Sequence, residues 1–337
     1  MFGVRSTEIG FIFDIITLTI EVLMNFLKKL FGPKKPQAQI TIPANSIDRT
    51  SNNKQATSSV ATMNELEEMF NMAGLAKYFE KVSHHVKHKL EITTHPTDED
   101  QLIKGQSKIG GQPDLPAHIE WPKTEMGKSM SFIAQINLSD TAIYNSADAL
   151  PQYGLLSFFN CADQEAWGFD PKDKYRFRVI YTENITELER TSIPYDLDNV
   201  FTPNKVTFNE VLSIPGAFDE TISKHLENSD VDSYCDIEMP SENQMFGYPC
   251  IIQNAMELEC QLVTNGLYCG DSSGYNDPRA KLLEEGAKDW LLLLQIGSED
   301  DKTGMMWGDA GNLYYWIRKQ DLENKAFDKA WMILQCY

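Results

Sequence analysis

Residues 132–136 read FIAQI and residues 292–296 read LLLQI, two apolar segments of strand length that each carry one glutamine. Short apolar runs bounded by turn residues predict strands that are buried on both faces. A buried glutamine must find hydrogen-bond partners for its amide, so we expect Gln135 and Gln295 each to tie a loop to the sheet. The two segments therefore predict a β-rich core built around a repeated feature.

The similarity between the two regions extends to both sides of these segments. A Gly-x-Pro tripeptide precedes each one, at 111–113 and 247–249, and a glycine-led strand pattern follows each one, at 154–159 and 311–316. Matches that recur in the same order predict two related halves, each a small antiparallel sheet that closes against the other. Chance similarity among apolar strands is the alternative interpretation.

Further strand and helix patterns indicate the fold class. Strand patterns also lie at 89–94, 175–182 and 331–337. An apolar stripe at helical spacing predicts a helix over 65–88 with Asn64 as its N-cap, and shorter helical patterns lie at 218–228, 279–288 and 321–329. Because strands and helices do not alternate regularly, we predict an α+β fold that is predominantly antiparallel β, and not a doubly wound parallel sheet.

The N-terminal segment is the most apolar part of the chain. Residues 9–31 read IGFIFDIITLTIEVLMNFLKKLF, and their polar side chains fall on one helical stripe: Asp14, Thr17, Glu21, Asn25 and Lys28. This pattern predicts a hydrophobic, amphipathic helix within residues 1–31. Such a helix suits a membrane surface or a docking site on another protein, and both alternatives stay open.

Residues 32–63 connect this helix to the rest of the chain. No aromatic residue occurs from Gly32 to Met69, and Pro, Gln, Asn, Ser and Thr are frequent. A segment with so little apolar surface cannot offset the entropy of ordering it, so we predict a flexible linker. The folded domain is then expected at residues 64–337.

The chain is strongly acidic. Lys and Arg number 30 against 49 for Asp and Glu, which gives a formal charge of −19 and argues against nucleic-acid binding. Between His225 and Pro278 there are ten acidic residues and no Lys or Arg. This stretch is either a solvated surface or a face for a basic protein partner. We expect a cytoplasmic protein, located on the cytoplasmic face of a membrane if residues 9–31 associate with lipid.

Motifs that bear chemistry are few. The six cysteines form no Cys-x-x-Cys pair, and His84 and His88 share a helix face without a further ligand, so we expect reduced thiols and no bound metal. Residues 270–274 read GDSSG, but the last histidine of the chain, His225, precedes them and gives the wrong order for a hydrolase elbow. No phosphate loop or dinucleotide fingerprint occurs, so we expect no cofactor.

Several longer runs carry a resemblance to a known family. They are SKIGGQPDLPAHIEWP (107–122), FIAQINLSD (132–140), LPQYGLLSFF (150–159), DWLLLLQI (289–296), MMWGDAGNLYYWIRKQDL (305–322) and WMILQCY (331–337). These runs resemble the YwqG-like family, a domain of unknown function, from about residue 65 to the end of the chain. The resemblance implies one compact, largely antiparallel β module and implies no agreed activity.

Two classes of function follow from these observations. The first is a binding or interaction module, of the immunity or adaptor type, with a ligand cleft between the halves that is floored by Gln135, Gln295 and Trp307 and edged by Asp309. The second is an enzyme that uses carboxylates in this cleft, such as Asp309 and Glu120. A carboxyl group with a strongly raised pKa inside a pocket would favour the enzyme.

Overall fold

A ten-stranded antiparallel sheet organises the protein in the computed structural model, which describes residues 60–197, 199–238 and 241–337. The predicted N-terminal helix (1–31) and most of the predicted linker (32–63) lie outside these residues. Within the described residues, helices are too short or too polar to cross a lipid bilayer. The predicted α+β, mainly antiparallel fold is confirmed.

The strands and helices have the following bounds. The strands are β1 (Lys87–Pro96), β2 (Lys108–Ile109), β3 (Asp114–Pro116), β4 (Met130–Asn137), β5 (Leu155–Cys161), β6 (Phe177–Thr182), β7 (Leu188–Arg190), β8 (Asn204–Ser213), β9 (Gln244–Phe246), β10 (Trp290–Gly297), β11 (Asn312–Arg318) and β12 (Trp331–Gln335). The α-helices are α1 (Met63–Met72), α2 (Ala76–Ser83), α3 (Leu138–Thr141), α4 (Glu220–Ser223), α5 (Val231–Ile237), α6 (Glu257–Thr264), α7 (Ser272–Tyr275), α8 (Ala280–Leu283) and α9 (Lys319–Glu323). Short 3-10 turns lie at Glu99–Gln101, Asn145–Ala147, Pro171–Tyr175, Asn228–Asp230, Glu284–Asp289 and Phe327–Lys329.

The strand order shows two halves that exchange strands. The order is β12-β11-β10-β9-β1-β8-β2-β4-β5-β6, and β3 pairs separately with β7. The central strands β1 and β8 pair with each other, while β9 pairs with β1 and β2 pairs with β8. Each half thus supplies a short strand to the long strand of the other half. The halves are not the two separate small sheets that were predicted, because backbone hydrogen bonds between these strands join them into one continuous sheet.

The two outer parts of the sheet pack face to face. In each half the register shifts at the same point of the apolar strand, between Phe132 and Ala134 in β4 and between Leu292 and Leu294 in β10. The ring centroids of Phe158 (β5) and Tyr315 (β11) are 5.0 Å apart in an edge-to-face contact. The main hydrophobic core therefore lies between β4–β5–β6 and β10–β11–β12.

A smaller helical layer covers the end of the central strands. Side chains of α1, α2, α4 and α5 share a second core with the end of β8. The predicted helix over 65–88 is instead two helices, because the chain reverses at Gly74 with a φ of +74°, and β1 already begins at Lys87.

The first helix begins earlier than predicted. Its N-cap is Thr62 and not Asn64, because the Thr62 hydroxyl accepts from the Glu65 N–H while the Glu65 carboxylate accepts from the Thr62 N–H. This reciprocal pair is a capping box. Just before it, buried Val60 accepts a hydrogen bond from the Leu212 N–H at 2.8 Å.

Candidate functional site

Gln135 lies fully buried in β4 and uses its whole amide to hold a loop. Its Oε1 accepts the backbone N–H of Asp114 at 2.9 Å. Its Nε2 donates to the carbonyl of Gln106 and to the Asp114 carboxylate, both at 2.8 Å. The predicted tie between a loop and the sheet is confirmed here.

Gln295 makes the corresponding contacts in β10. Its Oε1 accepts the backbone N–H of Cys250 at 2.9 Å, and its Nε2 donates to the carbonyls of Ser241 and Glu242 at 2.7 and 3.1 Å. Both glutamine amides are therefore engaged by the backbone and are buried, which gives them a structural role. Strands β9, β1, β8 and β2 separate the two glutamines in the sheet.

A cluster of buried charges supports Gln135. Arg190 Nε lies 2.6 Å from Asp114 Oδ1, and Arg190 Nη1 lies 2.7 Å from Glu99 Oε1, which Lys108 Nζ also contacts at 2.8 Å. Burial alone would raise the pKa of Asp114, but Arg190 and Gln135 outweigh it and hold that pKa below its ordinary value. Two cations and two anions thus neutralise each other, as expected of a structural cluster.

Trp307 and Asp309 lie apart from the two glutamines. Trp307 is buried, its Nε1 donates to the Gly297 carbonyl at 3.2 Å, and its ring packs edge-to-face on Phe201. Asp309 is exposed on the adjoining loop, and Glu120 is also exposed. The structure does not gather the four predicted residues into one cleft. A ligand-binding role for them stays a prediction.

The loop between Trp307 and Asp309 does border a cavity between the two halves. This cavity has a volume of about 360 Å³, and we call it the acidic cavity. The residues that matter for its chemistry are Asp163, Gln164, Glu165, Trp167, Gly308 and Leu334. The cavity therefore lies between three segments: the connection after β5, the loop before β11, and β12.

Gln164 holds the two sides of the acidic cavity together. Its backbone has a φ of +56°, its Nε2 donates to the Met306 carbonyl at 2.9 Å, and its Oε1 accepts the Gly308 N–H at 3.2 Å. Gly308 also has positive φ, and a Cβ there would stand 2.8 Å from Cys336 Sγ. Glycine is thus required at this wall.

The electrostatics of the acidic cavity suit a cation. Asp163 and Glu165 are exposed carboxylates, and Trp167 is a half-buried indole beside them. Burial would raise the pKa of Asp163, but hydrogen bonds from the Glu165 N–H and Cys161 and the charge of Arg176, 2.6 Å away, hold it below its usual value. Because Arg176 already matches the charge of Asp163, the carboxylate that remains for a ligand is Glu165, and an exposed carboxylate near an indole is a typical environment for an ammonium or guanidinium group.

Nucleophilic or acid–base groups are not concentrated in the acidic cavity. Burial raises the pKa of the neighbouring Cys161 thiol to about 12, so it stays protonated at neutral pH. Burial also raises the pKa of four carboxyl groups, none of which lines the acidic cavity: Asp173, Glu238, Glu242 and Glu259.

The cysteine, histidine and carboxylate side chains are dispersed over the described part of the chain. Across the described ranges, His, Cys, Asp and Glu side chains form no group of three or more that could hold a metal ion. The six cysteines, all of which are described, are free thiols.

The acidic cavity was not predicted from the sequence. Its pattern is visible in residues 161–167, CADQEAW, where two acids and a tryptophan lie in a loop after a strand. This pattern does not reveal the opposite wall of the cavity at Gly308. Gly308 is distant from Gln164 in the sequence, and folding brings the two into contact.

The described residues form a β-rich module of two halves with a cavity between them. Residues 107–336 match the family described as domain of unknown function (DUF1963), and because this match spans more than half of the chain, the protein belongs to that family. The match begins later than the predicted resemblance, which starts near residue 65. No curated protein matches the chain.

Proposed function

We propose that the chain is a protein-binding module of the YwqG-like type whose acidic cavity receives a basic side chain of a partner protein. The observation that carries this proposal is the placement of Asp163, Glu165 and Trp167 around one cavity. A volume of about 360 Å³ lies at the small end of the range for ligand sites.

The chemistry of recognition follows from these three side chains. A guanidinium or ammonium group gains from the negative face of an indole and from charge-assisted hydrogen bonds to carboxylates. Asp163 is already paired with Arg176, whose Nη2 lies 2.6 Å from both of its carboxylate oxygens, so its charge is matched within the protein. Glu165 is left to bind the incoming cation.

The charge of the whole chain supports a basic partner. A formal charge of −19 steers positively charged proteins toward the module, and exposed Asp232 and Asp236 on α5 contribute to this long-range charge. This is the physical profile of immunity-type and adaptor proteins. We further propose that the module acts in the cytoplasm and that residues 9–31 tether it to a membrane face or to a larger complex.

An enzyme that uses carboxylates in this cleft has less support. Asp163 has a lowered pKa, which suits a fixed negative charge and not a proton donor at neutral pH. The carboxyl groups with raised pKa values lie elsewhere. A binding role accounts for the acidic cavity with fewer assumptions.

The proposal is tested by titrating the full chain with a hexa-arginine peptide in a calorimeter at low salt. Replacing Glu165 by Lys should weaken binding about tenfold, since one charge-assisted contact is worth about 1.4 kcal/mol. Asp232→Lys makes the same charge change on α5 and should weaken binding by about twofold or less, through long-range charge alone. Equal effects of the two variants, or an unaffected Glu165→Lys, would contradict the proposal.

A second variant tests the contribution of the Trp167 ring to binding separately from that of the carboxylates. Trp167→Leu keeps an apolar side chain against the core but removes the aromatic face, and we expect a weakening of about fivefold from the lost cation–π contact. The circular dichroism spectrum and melting temperature of each variant serve as folding controls.

A further inference from the structure

The two edge strands of the sheet, β6 and β12, face each other across a seam. Phe177 and Trp331 meet edge-to-face there, with ring centroids 5.3 Å apart. Residues 166–169 close part of the seam, because Leu334 donates to the Trp167 carbonyl at 3.1 Å and Trp331 Nε1 donates to the Gly168 carbonyl at 2.8 Å. The acidic cavity lies on one side of this closure, and a second cavity of about 370 Å³ lies on the other.

This second cavity carries the opposite charge, and we call it the basic cavity. Its charged lining residues are Lys174, Arg178, Lys329 and one carboxylate, Asp328. Lys329 is engaged by Asp321 at 3.0 Å. Within the described ranges, Lys174 and Arg178 have no carboxylate at ion-pair distance. The Lys174 ammonium lies 4.5 Å from the Tyr175 ring centre, so Arg178 is the lining cation without an ionic or aromatic partner in the described ranges, in a chain with a formal charge of −19.

A third cation stands behind the wall of the basic cavity. The Arg318 Nη2 donates to the hydroxyl of Thr264, a lining residue, at 2.9 Å, and its guanidinium lies 4.9 Å from the Trp290 ring centre. The Arg318 Nε is buried without a hydrogen-bond partner among the described residues. Its charge is fixed near the cavity and makes the local potential more positive.

The floor of the basic cavity is apolar, and the chain around it is a strand edge and the end of a helix. Phe177, Val263 and Trp331 line it and are almost fully buried. Strand β6 has β5 as its single partner strand in the described part of the chain, so N–H and C=O groups alternate along its other edge. At the end of α6, the Val263 carbonyl is already capped by the Gly266 N–H at 2.9 Å.

We propose that the basic cavity binds a small organic anion that combines an aromatic body with a carboxylate, sulfonate or phosphate group. The anionic group would lie at Arg178 and Lys174, and the ring would lie on Trp331 and Val263. A guanidinium at a partly desolvated site binds such groups by charge-assisted hydrogen bonds, and the apolar floor supplies the burial of the ring. This site is distinct from the acidic cavity and does not depend on the function proposed for it.

The test uses naphthalene-2-sulfonate as the probe, titrated into the full chain by calorimetry. We expect saturable binding of one molecule, and at least tenfold weaker binding of the neutral naphthalene-2-sulfonamide, which has nearly the same shape. Arg178→Gln and Lys174→Gln should each weaken the sulfonate by about five- to tenfold. Lys172→Gln is the matched control, because Lys172 is exposed on the same 3-10 turn as Lys174 and does not line the cavity.

Each outcome decides the proposal. Equal affinity for sulfonate and sulfonamide would show that the negative charge of the probe does not contribute to binding. Equal losses of affinity in Lys172→Gln and Lys174→Gln would show that the probe binds to the general surface. Either result, or no binding by a wild-type chain that melts cooperatively, overturns the proposal. Lys174 is exposed, so its replacement keeps the test valid even if Arg178→Gln lowers stability.

Discussion

Gln135 and Gln295 make the same hydrogen bond in the two halves of the protein. Each side-chain Oε1 accepts, at 2.9 Å, the backbone N–H of the residue that follows a Gly-x-Pro: Asp114 in one half and Cys250 in the other. Two features repeat in the sequence: an apolar strand that contains a glutamine, and a Gly-x-Pro tripeptide upstream of it. In each half, one hydrogen bond connects these two features. The glutamine thereby fixes the loop after the short strand (β2 or β9) to the long apolar strand (β4 or β10).

Replacing either glutamine should destabilise the fold. Gln135→Leu and Gln295→Leu each leave a buried N–H without an acceptor, which costs about 1–3 kcal/mol of unfolding free energy. Urea unfolding of the full chain measures the loss. Gln152→Leu, at an exposed position, is the control and should change stability by less than about 0.5 kcal/mol. If both buried variants lose as little unfolding free energy as the control, the glutamine hydrogen bonds do not stabilise the fold.

Acid should weaken the cluster around Asp114. Its pKa is held below the ordinary value in the folded protein, so the carboxylate stabilises the fold at pH above about 4 and this contribution is lost as the pH falls through the lowered pKa. Asp114→Asn should therefore be clearly less stable than wild type at pH 7, with the difference shrinking toward pH 3. If the difference in stability between Asp114→Asn and wild type does not change with pH, the ion pair between Asp114 and Arg190 does not stabilise the fold.

The buried carboxyl of Glu259 should show the opposite dependence. Burial raises its pKa, so its ionisation opposes folding at neutral pH, and the wild-type chain gains stability as the pH falls through that raised value. Glu259→Gln should be more stable than wild type at pH 7.5 and lose this advantage near pH 4, as measured by thermal melting. Lower stability of the variant at pH 7.5 would refute the assignment.

The boundary of the folded part can be tested by truncation. Val60 is buried and accepts from Leu212, and Thr62 caps α1, so residues 60–62 belong to the helical layer. A chain of residues 58–337 should melt like the full chain, whereas residues 64–337 should lose about 2 kcal/mol. Equal melting of the two truncated chains would show that these contacts contribute nothing.

The N-terminal segment lies outside the described residues, and its role is a separate prediction. If residues 9–31 tether the protein, replacing Ile16, Leu23 and Leu27 by Asp should release it into the soluble fraction. Cell fractionation followed by detection of the full chain measures this. A wild-type chain that is already soluble and monomeric would exclude the tether.

Long apolar strands were predictable from the sequence, but the middle of the sheet was not. The apolar segment 292–296 lies within β10 and the glycine-led pattern at 311–316 overlaps β11, because both strands are buried on both faces. The central strand β8 (Asn204–Ser213) was missed because its buried positions include Asn204 and Ser213, and several of its other side chains are exposed. Its place is set by pairing with β1 and β2 and not by its own hydrophobicity.

The candidate site was predictable only in part. A cleft between the halves was expected near Trp307 and Asp309, and Gly308 between them does line a cavity. The facing residues could not be located, because Gln164 meets Met306 and Gly308 through contacts between distant parts of the chain. The buried glutamines were correctly expected to tie loops, since an amide inside an apolar strand requires partners.

Nuclear magnetic resonance tests most directly whether the acidic cavity binds a basic side chain. Titrating the isotope-labelled full chain with the hexa-arginine peptide should shift the indole N–H of Trp167 and the side-chain amide of Gln164 saturably, while the indole of buried Trp316 stays unchanged. Trp167→Leu assigns the indole signal. Shifts confined to α5 around Asp232, with Trp167 and Gln164 unaffected, would contradict the account.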